Sequence, residues 1–135
     1  MIPPGSPLVT GADIDDFWTQ VMGPLRFGDR RLWIAFLDGD HRLLPTLPII
    51  DGVPEVLEPE LADRLMSTLD KVVPSDGSII LLLSRPGGPM GPPDRALARV
   101  LHTSADRHRL PLQAIHLATE THLRQFAPDD LVSAA

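Results

Sequence analysis

No cysteine occurs among the 135 residues, which excludes disulfides and thiolate metal sites and leaves the redox compartment open. Tyrosine is absent as well, and two tryptophans and four phenylalanines are the whole aromatic complement. The core must then be built mainly from Leu, Ile, Val and Ala, and a stacking platform for nucleic-acid bases lacks material. Lys71 is the only lysine, and the net charge is −6 with an isoelectric point near 5.2. Binding along a phosphate backbone needs a basic surface, so direct nucleic-acid contact is not expected. No run reaches the roughly 18 apolar residues of a membrane span. The stretch Met1-Ile2-Pro3-Pro4-Gly5-Ser6-Pro7 has neither the basic flank nor the apolar stretch of a signal peptide. The expected location is the cytoplasm.

The residues that are present suit a globular domain: 43% are hydrophobic, and mean hydropathy is +0.04. The length allows one domain with a continuous core, and no repeat or internal boundary is visible. Residues 1–11, rich in Pro and Gly, are expected to be a mobile arm, and residues 12–135 a single α/β domain.

Ile14, Phe17, Trp18, Val21 and Met22 recur at helical spacing, with Asp13 as a cap and Gly23-Pro24 as a stop. The apolar run 32–37 reads as a buried strand. Asp38-Gly39-Asp40 is a hairpin turn in which glycine would supply the positive φ. The returning strand is expected over 42–50, with Pro45 and Pro48 pointing to an edge or a bulged path. A second helix starts at Glu58-Pro59, with Leu61, Leu65, Met66, Leu69 and Val72 as its apolar stripe. Residues 78–83 are apolar on both faces and so belong at the centre of a sheet. A proline- and glycine-rich loop, 85–93, precedes a third helix over 94–107 that turns Leu97, Val100 and Leu101 inward. Another strand is expected at 112–118, and a short strand or helix around His122–Phe126. The order α-β-β-α-β-α-β implies a mixed sheet flanked by helices.

The text around the central strand resembles the JAB/MPN metalloprotease family, RadC-like branch. In that branch the central strand ends in His-x-His-Pro-Ser-Gly, and Pro-Ser-x-x-Asp opens the next helix. Here the matching text is Leu83-Ser84-Arg85-Pro86-Gly87-Gly88, then Pro92-Pro93-Asp94-Arg95-Ala96. The hairpin from Leu32 to Leu44 is similar to the family's first hairpin, and Ala114-Ile115-His116-Leu117-Ala118 sits at its Asp-His-Ile-Ile strand. The resemblance spans roughly residues 30–132 and implies the cytidine deaminase-like α/β fold.

In the family, two histidines and an aspartate hold zinc, and a glutamate deprotonates the bound water. Carried onto this chain, the histidine positions fall on Leu83 and Arg85. The aspartate position falls on Ala96, or on Asp94 with two residues removed from the loop. The oxyanion serine falls on Pro93, and the glutamate near Arg30 or Arg31. Leu and Ala cannot ligate a metal, and a fixed guanidinium repels one. The resemblance thus implies a member with no catalytic residue, no metal and no cofactor. MPN domains without metal commonly serve as dimerising scaffolds, so a protein partner, a second copy among the candidates, is expected.

Other groupings carry less. His102 and Asp106 have i, i+4 spacing, whereas His102 and His108 are six apart and do not share a helix face. Ser84 and Ser104 lack a nucleophile elbow, and the 85–93 loop lacks the Gly-Lys-Ser/Thr end of a phosphate loop. Two expectations of function result. One is an interaction module: the first helix either covers the sheet with Phe17 and Trp18 or, offered outward, presents them to a partner, with Arg30 and Arg31 of the basic cluster Arg26, Arg30 and Arg31 beside them. The other is an enzyme or anion binder with a rebuilt cleft around Arg85, Asp94 and His116. A pocket in which those three groups converge would favour the second; an exposed apolar patch without one favours the first.

Overall fold

The computed structural model describes residues 3, 5–22 and 29–131. Helix α1 (Gly11–Met22) begins with a reciprocal cap. The Asp13 carboxylate accepts the N–H groups of Val9 and Thr10, each at 3.0 Å, while Thr10 Oγ1 accepts the Asp13 N–H at 3.1 Å. Asp13 therefore caps from inside the first turn, with Thr10 as its partner at the helix boundary. Gly23 and Pro24, the expected stop, lie outside the described residues.

The expected arm is corrected over residues 5–10. Leu8 is buried, and Gly5 N–H, Leu8 N–H and Ser6 C=O bond to the backbone of residues 41–43. One buried leucine and these ladder-like bonds hold the segment beside the hairpin.

Strand β1 (Arg31–Leu37) is followed by a return that is corrected in two ways. Positive φ falls on His41, at 60°, while the Asp38 carboxylate accepts the N–H groups of Asp40 and Arg42. Gly39 has no positive φ, and a Cβ there would only require the exposed Asp76 carboxylate to turn aside. The return itself forms only isolated bonds before β2 (Ile49–Asp51), since Pro45 and Pro48 have no N–H to give the ladder.

Helix α2 (Pro59–Asp70) leads to β3 (Ser78–Ser84), α3 (Pro92–Arg107) and β4 (Leu112–Ala118). The chain continues through β5 (Leu123–Gln125) and α4 (Pro128–Leu131). The five strands form one mixed sheet, ordered β2-β1-β3-β4-β5, in which only β3 and β4 run parallel.

Period-two alternation sends each strand's residues to two cores. On one face Leu32, Ile34, Phe36, Ile79, Leu81, Leu83, Ile115 and Leu117 meet Met66 and Leu69 of α2 and Leu97, Ala98 and Leu101 of α3. On the other, Trp33, Ala35, Leu37, Ile80, Leu82, Ala114 and Ala118 meet Ile14, Phe17 and Trp18 of α1, together with Leu8 and Leu43. All seven residues of β3 are buried, as a strand covered on both faces requires. Two members expected in the α2 stripe are not covered: Leu61 is 48% exposed, and Val72, beyond the helix end, is 54% exposed. Val100 of α3 is half-buried rather than turned fully inward.

Candidate functional site

Arg85 leaves the end of β3 and folds back onto the first turn of α3. Its Nε donates to Asp94 Oδ1 at 2.7 Å and its Nη2 to Asp94 Oδ2 at 2.6 Å. Nη1 donates to the Pro86 carbonyl and Nη2 also to the Pro89 carbonyl. Four of the five guanidinium donors are thereby committed within the loop. Asp94 Oδ2 additionally accepts the Gly91 N–H at 2.9 Å, which caps α3. Burial works to raise the Asp94 pKa, yet the Arg85 hydrogen bonds, the Gly91 amide and nearby guanidinium charge outweigh it and hold the carboxyl below the ordinary range. The Asp94 hydrogen bonds in turn raise Arg85. This is a clamp on the 85–93 loop, with its charge already neutralised.

His116 does not join that clamp. It lies between Ile115 and Leu117 on β4 and faces the α1 side, whereas Asp94 is on α3 across the sheet. The expected cleft of Arg85, Asp94 and His116 is therefore not assembled. The reason is strand alternation: His116 has the parity of Ala114 and Ala118, which face α1.

His116 is fully buried, and its Nε2 meets Asp15 Oδ1 of α1 at 2.5 Å. A carboxylate accepts, so Nε2 carries the proton. Nδ1 is buried with no hydrogen-bond partner among the described residues. Burial depresses the His116 pKa more than Asp15 restores it, since a second proton would place an unpaired N–H in the core. A folded pKa below the unfolded value means the unfolded chain binds more protons as acidity rises. The neutral ring's contribution is thus present above the unfolded pKa of about 6.5 and is lost as pH falls through the folded value. Urea midpoints should drop between pH 7.5 and 5.5, and drop less in His116→Gln. Equal pH dependence in the two proteins would remove His116 as the cause.

Between α2 and α3, Asp63 gathers three groups. Ser104 Oγ donates to Oδ1 and Arg107 Nη1 to Oδ2, both at 2.6 Å, while His108 Nε2 lies 3.4 Å from Oδ1. The Ser104 hydrogen bond, then the charges of Arg107 and His108, hold the Asp63 pKa below its usual value. A serine, a histidine and an aspartate are together, but in an unproductive order. The hydroxyl donates to the carboxylate, a weak base held here below its usual pKa, and no hydrogen bond joins Ser104 to the imidazole that a triad would use. Ser84 is likewise occupied, accepting from Trp33 Nε1 at 2.8 Å inside the sheet. His102 Nδ1 and Asp106 stand 3.9 Å apart, an exposed i, i+4 contact. Among the described residues no three His, Asp or Glu side chains are grouped to hold a metal ion.

Of the two expectations for the first helix, the structure has the covering one, and the outward interaction surface is corrected. Phe17 and Trp18 are buried, at 4% and 0% exposure, because α1 turns its aromatic face onto the sheet. Arg31 pairs with Asp51 of β2, while the Arg30 Nε is buried without a hydrogen-bond partner among the described residues. Arg26 lies outside the described residues.

The exposed apolar surface sits elsewhere, between β2 and α2. Ile50, Val53, Pro54, Leu57, Leu61 and Leu65 line a cavity of about 210 Å³ floored by Leu32 and Leu101. Val56, in the same 53–57 segment of the chain, is 77% exposed, and Ile49 on the neighbouring edge is 46% exposed. Sequence reasoning missed this surface because Val53, Val56 and Leu57 follow no strand or helix period. One signal was available: residues 51–61 carry four acidic side chains and no basic one. No helix of the described residues is long and apolar enough to cross a membrane. Compared with known protein families and with curated proteins, the chain matches no family model and none of the curated sequences.

Proposed function

We propose that this chain is a catalytically inactive domain of JAB/RadC-like type that works in the cytoplasm as a protein-interaction or scaffold module. One observation carries the reading: a largely apolar surface is left uncovered between β2 and α2, while the groups of the expected cleft are tied up separately. Ile50 and Leu61, both more than one-third exposed, line one depression, and Val56, the most exposed of the described large apolar residues, lies between Pro54 and Leu57 of its lining in the sequence. Single exposed apolar residues are ordinary, but a cluster around a cavity is the kind of surface a partner covers. The family resemblance supports the inactive half of the proposal, since its two histidine positions hold Leu83 and Arg85 and its aspartate position holds Ala96, or Asp94 with two residues removed from the loop. Of these, Leu83 is packed in the core and Arg85 is clamped on Asp94. The rival reading, an enzyme or anion site at Arg85, Asp94 and His116, loses its basis with the cleft divided across the sheet.

The test is photocrosslinking in cells, with p-benzoylphenylalanine placed at Val56 or, as a control on another part of the surface, at Val9. A discrete adduct at Val56 that is absent at Val9 and lost with Leu61→Asp is the expected result. No adduct at Val56 under any condition would overturn the interaction reading.

A further inference from the structure

The β2 edge reveals more about how the proposed partner docks. In the β1–β2 ladder, Leu32 stands opposite Ile50, and Ile34 N–H bonds to the Pro48 carbonyl in the same register. Antiparallel pairs alternate between hydrogen-bonded and non-bonded, so the Ile50 backbone groups point toward β1. The N–H and C=O groups of Ile49 and Asp51 then point away from the sheet, where no described strand pairs with them. Edge strands are ordinarily protected by lysine, proline or an inward charge. β2 is short, three residues after Pro48, but it carries no lysine or proline of its own, and its one charge, Asp51, is paired with Arg31. Ile50 carries the edge directly into the apolar cavity.

Charge selects the occupant. Asp51 on the edge and Glu55, Glu58 and Glu60 in the segment that leads from it into α2 are all exposed, with no basic residue between 51 and 61. Arg31 offsets Asp51 and Arg85 acts on Glu55, which leaves Glu58 and Glu60 without a counter-charge among the described residues. A second copy of the chain would bring the same four carboxylates to the same edge. A segment bearing lysine or arginine would instead be drawn to it.

We infer that β2 is a docking edge that takes an extended, apolar and basic segment of another protein as an added strand, its main chain bonding to Ile49 and Asp51 and its apolar side chains entering the cavity below Ile50. Main-chain pairing would give affinity without much sequence demand, and the cavity and carboxylates would set the choice of side chains. This rests on the interaction reading above and specifies its partner.

The experiment uses the full chain and the peptide Lys-Ile-Lys-Val-Lys-Ile-Lys, with a Glu-for-Lys peptide as control. Binding is followed by fluorescence anisotropy, and amide hydrogen exchange by NMR. The basic peptide should bind and slow exchange at Ile49 and Asp51, whereas the acidic peptide should do neither. Glu55→Gln with Glu58→Gln should weaken binding about tenfold, and the urea midpoint of the variant, measured alongside, should show that it stays folded under the binding conditions. Binding without protection of those two amides, or no binding at all, would overturn the docking mode. So would protection in the free protein that grows with its concentration, because the occupant would then be a second copy. A Val56 adduct in cells combined with a negative peptide result would sink the added strand alone, whereas failure of both would sink the interaction reading too.

Discussion

Trp18→Ala should lower the free energy of unfolding by about 3–5 kcal/mol, the range for deleting a large aromatic from a packed core. The side chain is fully buried on the α1 face, with the Phe17 ring 4.8 Å away between centroids. Its Nε1 has no hydrogen-bond partner among the described residues, so the loss is one of packing and of the cavity left behind. A domain of this size has only about 5–15 kcal/mol to lose, so the variant would sit near the threshold of folding. Trp18→Phe keeps most of the volume and should fall well short of that loss. Equilibrium urea unfolding reads both. A change below about 1 kcal/mol in Trp18→Ala would mean that α1 does not cover the sheet in solution, and would return Trp18 to the surface.

The second large effect belongs to the loop clamp. Asp94→Ala leaves the Arg85 guanidinium, only 14% exposed, without its counter-charge and also removes the cap on Gly91. Breaking one side of a buried pair costs about 3–5 kcal/mol, most of it from the ion left behind. The double variant Arg85→Ala, Asp94→Ala should therefore be less damaged than the sum of the two single variants, since neither charge is then stranded. Additive losses would show that the two residues are not coupled in solution. The acid limb of stability carries the same signature. The Asp94 pKa is held down in the folded state, so its contribution is present above the unfolded carboxyl value of about 3.9 and is lost as pH falls through the folded one. In the double variant that part of the acid sensitivity should vanish.

Both predictions concern residues whose roles were legible to different degrees. Trp18 was readable as part of a helical face, because Ile14, Phe17 and Trp18 recur with the period of a helix. Whether that face lay on the sheet or was offered to a partner was not. An amphipathic helix has the same pattern either way, and only the apolar α1-side residues of β1 and β3 decide that it is covered. Arg85 and Asp94 were readable as charges flanking a proline-rich loop. Their mutual clamp was not, because it depends on Gly87 at φ 102° and on the path that brings the guanidinium back to α3.

His116 shows the limit more sharply. Sequence spacing placed it on a strand, but its side of the sheet follows from register, and a shift of one residue reverses the answer. Observed parity puts it with Asp15, which is 101 positions away in the chain. Local pattern holds no trace of a pairing at that distance.

By itself the sequence determined the chemistry available and the local periods. It excluded cysteine chemistry, called for an aliphatic core, and marked the three long helices and the three long strands by their hydrophobic spacing. These are properties of short windows, where one or two turns or a few alternating residues suffice. Tertiary structure alone decided what was shared between distant windows: the strand order, the burial of Phe17 and Trp18, the division of the expected cleft, and the open edge of β2 beside an acidic loop. Those outcomes depend on which faces meet. That is set by the summed packing of the whole chain, in which each contact is worth little against the entropy of ordering the residues that make it.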